Sequence, residues 1–217
     1  MRRFIAVVMF ALIQIGCASI TPKGPAVLSP FGDGTQWIVV EDMELLVKLN
    51  DSSSGTIVIP RGFVTDLAST PNIFWSKYPP FGKYMIAAVL HDYLYWIQVC
   101  ERPDADKILY QTMRDAEVDS ITQIGFYEIL RVAGGKAWND NRKEREGGLV
   151  RVIPERELNN NAWFGTGKTT WKDFRNELLK KKVREEQRND PLLLAATCKS
   201  LGNEIQVKGF FTALLKK

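Results

Sequence analysis

The chain has 217 residues, 45% of them hydrophobic and 25% charged, a balance that excludes a disordered or fibrous protein and allows one domain with a sizeable core. Its formal net charge of +4 is uneven: residues 139–217 hold 17 Lys and Arg against 11 Asp and Glu, and residues 1–138 hold 12 against 14. So dilute a basic excess reads as solvated helix faces, with contact to anionic lipid as a second reading; nucleic acid is not expected as a partner.

Met1-Arg2-Arg3 precedes an apolar run from Phe4 to Ile13, the pattern of a secretory signal. The run is shorter than the ~20 residues that span a bilayer. Gly16-Cys17 then closes the segment, which resembles a bacterial lipoprotein signal with Cys17 as the acylated residue. Gln14 stands where that pattern usually has Leu, and cleavage after Ala18 with plain secretion is the competing reading. Neither Ala18 nor Ser19 is the aspartate that holds lipoproteins at an inner membrane, so the resemblance implies an outer-membrane address facing the periplasm. Export would permit a disulfide between Cys100 and Cys198, although two isolated cysteines do not reveal whether they meet.

Pro22, Gly24, Pro25, Pro30 and Gly32 mark residues 18–33 as a tether. Strands are predicted at Trp37–Val40, Leu45–Leu49 and Thr56–Ile59, with Asp51–Gly55 as the turn of a hairpin and Arg61–Thr65 extending the sheet. Ser69-Thr70-Pro71 supplies a helix start, with a capping hydroxyl and then proline. Helices are predicted over 83–97, 103–117 and 120–134, the last ended by Gly134-Gly135. Residues 139–148 read as a charged loop, Gly148–Pro154 as a strand, and 169–188 and 191–201 as further helices. The predicted class is α+β: a small antiparallel sheet followed by a bundle of antiparallel helices. The predicted organisation is a signal over 1–17, a tether over 18–33, a core domain over 34–138 and a basic, mostly helical extension over 139–217.

Residues Tyr84–Ile97 are apolar on every face except at His91 and Asp92, which predicts a buried helix carrying two polar groups. Each group then needs a partner, a metal or an opening to solvent. His91 is the only histidine, so zinc sites built on two or three histidines are excluded, and no Gly-x-Ser-x-Gly elbow is present. The short link from Ile97 to Pro103 makes the next helix antiparallel. At 1.5 Å per residue, His91 lies about 9 Å before the end of its helix and Asp106 about 5 Å after the start of the next, so the two side chains are within reach. Tyr95 lies nearer still in level to Asp106. This is a workable base, with Asp106 orienting His91. Asp92, turned about 100° away, suits a hard cation such as Ca²⁺. In the plainer reading His91 bonds within the core and Asp92 pairs with Arg102, Arg114 or Arg131.

The segments Gly62-Phe-Val-Thr-Asp-Leu-Ala-Ser-Thr-Pro71, Phe74-Trp75, Pro79-Pro80-Phe81-Gly82, Ala87-Ala-Val-Leu-His-Asp-Tyr-Leu-Tyr95 and Ala105-Asp106 resemble domain-of-unknown-function family 1353, found in phages and bacteria, over about residues 34–138. That resemblance implies no activity, and it groups Asp66, Ser69, His91, Asp92 and Asp106 in one site. His91-Asp92-x-x-Tyr95 with Ala105-Asp106 is also similar to the phospholipase A2 pattern. Carried over, His91 is the base, Asp106 orients it with support from Tyr95, and Asp92 binds Ca²⁺. The glycine-rich Ca²⁺ loop of those enzymes is replaced here by Asp66-Leu-Ala-Ser69, so that either Asp66 substitutes as a ligand or the metal is absent. Two functions are carried forward. One is an anchored envelope hydrolase acting on an ester such as a phospholipid. The other is a non-catalytic envelope lipoprotein, phage-derived or bacterial, that binds a partner or modifies the host surface. Gly165-Thr-Gly167-Lys168-Thr169 has only the end of a phosphate-binding loop and is discounted.

Overall fold

A computed structural model describes residues 18–32, 34–51, 53–67, 82–158 and 170–207. Cys17, Ser69, the helix start expected at Ser69-Thr70-Pro71 and the Gly165–Thr169 segment lie outside them. The fold is α+β, as expected from the sequence, with two antiparallel three-stranded sheets and six helices among the described residues.

The hairpin forms where alternation places it. β4 (Met43–Lys48) buries Met43, Leu45 and Val47 and exposes Glu44 and Lys48; it pairs in full register with β5 (Ser54–Ile59), from Met43↔Ile59 to Lys48↔Ser54. The turn closes through Leu49 N–H to Ser53 O and Ser53 N–H to the Asp51 carboxylate. The expected tether is corrected. Residues 18–32 contain β1 (Ser19–Pro22), which pairs with β4, and β2 (Leu28–Pro30), which pairs with β3 (Trp37–Val39). Proline is tolerated in both because each lies at a sheet edge, where a missing N–H breaks no ladder.

The second sheet is completed by β6 (Val64–Thr65), in the order β2-β3-β6. Gly62 makes the crossing from β5 to β6 possible. It has φ +87°, donates its N–H to Val39 O, accepts from Ile153 N–H, and a Cβ there would collide with the Ile153 carbonyl. The strand expected at Gly148–Pro154 is reduced to a single antiparallel bridge, Phe63↔Val152.

α1 (Met85–Ile97) and α2 (Arg102–Asp115, with Pro103 in its first turn) are joined by four residues and run antiparallel, so Ala87 packs with Leu109 and Met113. α3 (Ser120–Glu146), capped by Asp119, does not stop at Gly134-Gly135, and the loop expected over 139–148 is helical as far as Glu146. Helix is retained there because it brings Arg145 to the end of α1, where the guanidinium donates to Trp96 O and Ile97 O. The boundary expected at residue 138 therefore falls inside a helix. α4 (Glu155–Leu158) is one turn long. α5 (Trp171–Lys180) packs Trp171, Phe174 and Leu178 with Phe31, just after β2, and with Ile38 and Val64 of the second sheet. α6 (Pro191–Glu204) buries Leu194, Cys198 and Leu201 in the main core with Ile20, Leu45 and Leu90.

Cys100 and Cys198 form a disulfide that bridges 98 positions and ties α6 to the α1–α2 connection. A loop of that length is expected to contribute about 2–5 kcal/mol by constraining the unfolded chain. Replacing both cysteines with alanine should lower the unfolding free energy in urea by that amount. An unchanged midpoint and slope would contradict the assignment.

Candidate active site

Three helices converge on one carboxylate. Asp106, in the first turns of α2, is 0% exposed. One of its oxygens accepts from Tyr95 Oη at 2.6 Å and lies 3.2 Å from His91 Nε2, both on α1. Its other oxygen accepts from Arg102 Nη1, one turn earlier on α2, at 3.1 Å, and Arg131 of α3 stands at 3.7 Å. Arg102 also donates to Leu130 O on α3. A buried carboxylate accepts only, so the nitrogen of His91 facing it carries the proton. In the neutral ring the lone pair is then on Nδ1, the form required of a base.

His91 is 6% exposed and its ring lies tilted by 40° against Tyr95, at 4.0 Å between centroids. Burial, and then donation to Asp106, push the Tyr95 hydroxyl well above the usual phenol range, so it remains a proton donor to the carboxylate. Gly134 explains why α3 passes so close: a Cβ there would stand 2.6 Å from Tyr95 Oη. One turn on, Trp138 meets the Tyr95 ring edge to face at 5.0 Å, and Asn141 donates to Tyr95 O.

A second group sits where β6 meets α1. Thr65 donates its hydroxyl to Asp92 Oδ2 at 2.5 Å and accepts from Leu67 N–H at 3.0 Å. Leu67 has φ +57°, a costly conformation for a branched side chain, in the turn that carries Asp66. Asp66 lies close enough for its charge to act on Asp92. Burial, and then the Asp66 charge, push the Asp92 carboxyl well above the usual carboxylate range, against the pull of Arg151 and Thr65. None of the arginines expected opposite Asp92 is its partner. Arg102 and Arg131 go to Asp106, and the cation near Asp92 is Arg151. Glu185 fixes the Arg151 segment to α1, accepting from the backbone N–H groups of Arg151 and Val152 and from Trp96 Nε1 at 2.8 Å.

The structure thus brings His91, Tyr95 and Asp106 together and, separately, Asp66 and Asp92. Thr65 and Arg151 are additions, and Arg102 and Arg131, expected opposite Asp92, join Asp106 instead. The i,i+4 spacing of Arg102 and Asp106 was a signal for one of them; nothing local points to Arg151. Among the described residues no cluster of three His, Cys, Asp or Glu side chains forms a metal site. Asp66 and Asp92 suit a hard cation in donor type, but two carboxylates fall short of the six to eight oxygens Ca²⁺ takes.

A family model described as "Protein of unknown function (DUF1353)" matches residues 18–129, just over half of the chain. The chain belongs to this family. The DUF1353 match begins at Ala18, so it takes in β1 and β2 and starts earlier than the resemblance over 34–138. His91, Tyr95, Arg102, Asp106, Thr65, Asp66 and Asp92 all lie within the DUF1353 span, whereas Arg131 and Arg151 lie beyond it. No curated protein and no solved structure matches the chain.

The acid pair makes stability depend on pH with a definite sign. A carboxyl whose pKa rises on folding binds its proton more tightly in the native state. Its contribution is fully present below the unfolded value of 3.8 and is lost as pH rises through the raised folded value. In EDTA, Asp92→Asn should therefore gain stability relative to wild type between about pH 4 and neutrality, read from urea unfolding at each pH. A wild-type-minus-variant difference independent of pH would contradict the raised Asp92 carboxyl.

Proposed function

We propose that this protein is an envelope lipoprotein, anchored through Cys17 at the outer membrane, with hydrolase activity toward an ester such as a phospholipid. The observation that carries the activity is the placement of His91 Nε2 3.2 Å from a buried carboxylate that is itself held by Tyr95 and Arg102. His91 Nδ1 takes a proton from water as the oxygen attacks the ester carbonyl. Asp106 holds the ring and stabilises the imidazolium, which then returns the proton to the leaving alcohol. Tyr95 and Arg102 keep the carboxylate in place. If Ca²⁺ binds, Asp92 and Asp66 would supply two of its oxygen ligands, and it would contribute Lewis acidity that no step above depends on. The address is supported by the Met1–Cys17 pattern and by a disulfide suited to an oxidising compartment. Among the described residues no helix is long and apolar enough to cross a membrane.

One observation favours the second reading. His91 is almost fully covered, and the side chains around Asp106 come from all three helices, so the cluster also serves as a structural clasp. In that reading the protein is a non-catalytic lipoprotein of bacterial or phage origin that binds a partner or modifies the host surface.

The two separate in an assay of fatty-acid release from vesicles of phosphatidylethanolamine and phosphatidylglycerol, with Ca²⁺ or with EDTA. The wild type should release fatty acid, and His91→Ala should be slower by at least about 10²-fold, the usual weight of a general base. EDTA should slow the wild type, and full activity in EDTA removes Ca²⁺ alone. Equal rates in the two proteins, or none in either, removes the hydrolase.

A further inference from the structure

We infer that the folded domain stands flush on a phospholipid headgroup layer, with the start of β1 at the bilayer surface. This rests on the anchor at Cys17 proposed above, and it follows from the correction of the tether to a strand. Ala18, the residue next to Cys17, is already 4% exposed and belongs to the main core. β1 begins at Ser19, and the family match begins at Ala18. β1 is fixed on both sides. Ser19 pairs with Lys48 on β4, and Ile20 N–H donates to Asp115 of α2 at 2.6 Å on the other.

Two Cα steps separate Cys17 from Ser19, a reach of about 7 Å when fully extended. The headgroup layer of one leaflet is itself about 5–7 Å thick. Acyl chains on Cys17 therefore leave no slack, and the sheet edge meets the headgroups wherever the rest of the molecule points. A 16-residue tether would instead have let the domain drift by about 20–24 Å.

The rim around this point suits zwitterionic lipid. Lys48, opposite Ser19, is exposed, and exposed Asn50 donates its N–H to Glu204 at 3.0 Å, which places the end of α6 on the same rim. A cation and an anion on this rim offer partners for the phosphate and the ammonium of phosphatidylethanolamine.

The test compares two full-length proteins, each with Lys48→Cys carrying a fluorophore. Cys100 and Cys198 are bonded and buried and do not compete for the label. One protein has the natural spacing; the other has a 12-residue Gly/Ser insert between Cys17 and Ala18, with a root-mean-square span of about 19 Å. Both are inserted through their anchors into phosphatidylethanolamine and phosphatidylglycerol vesicles containing headgroup-nitroxide lipid, after mass spectrometry of Cys17. The natural spacing should give strong quenching, and the insert should reduce it several-fold. Equal quenching at any level in two acylated proteins overturns flush docking and leaves the anchor intact. Absence of acyl chains on Cys17 overturns the anchor, and this inference with it.

Discussion

A carboxylate sealed from water has to be met by donors, and at Asp106 that requirement organises the helical half of the molecule. Leaving a buried charge short of a partner costs several kcal/mol. His91 and Tyr95 on α1, Arg102 on α2 and Arg131 on α3 surround it. The antiparallel pairing of α1 and α2, the absence of a side chain at Gly134 and the packing of Trp138 on Tyr95 all follow from bringing these groups to one point.

The same arrangement bears on chemistry. A histidine becomes a directed base when one ring nitrogen is held by a fixed acceptor, and Asp106 is fixed from two other directions. The neighbouring residue serves a different end. Asp92 turns to the sheet junction, where it meets Asp66 and Thr65, with the positive charge of Arg151 nearby. Adjacent positions on a helix diverge by about 100°, so one dipeptide feeds two electrostatic environments. Because Glu185 and Arg151 come from beyond the matched family span, the C-terminal third is integral to the environment of Asp92.

The part of this that could be read from the sequence is the part governed by local rules. Alternation at Met43–Lys48 and the Asp51 turn placed the hairpin, and a short link after Ile97 placed His91 opposite Asp106. The departures from local rules have physical reasons. Prolines at 22 and 30 suggested a tether, but edge strands tolerate proline, and Ile20 belongs to the main core. Gly134 and Gly135 suggested a helix end, whereas Gly134 marks a close approach of Tyr95 that only a tertiary contact reveals. Arg102 and Arg131 go to Asp106 and not to Asp92, because charge and proximity in sequence do not say which helix face a carboxylate occupies. The charge of Arg151 acts on Asp92 from 59 residues away, a separation over which periodicity carries no information.

The single histidine allows the central claim to be measured without ambiguity. With ¹⁵N-labelled histidine, one pair of ring nitrogens reports which position holds the proton. The account predicts, for the neutral ring, a protonated Nε2 facing Asp106 and a bare Nδ1 ready to accept a proton. A protonated Nδ1 and a bare Nε2 would contradict it, because the carboxylate would then have no proton to accept from that nitrogen and the base would be blocked.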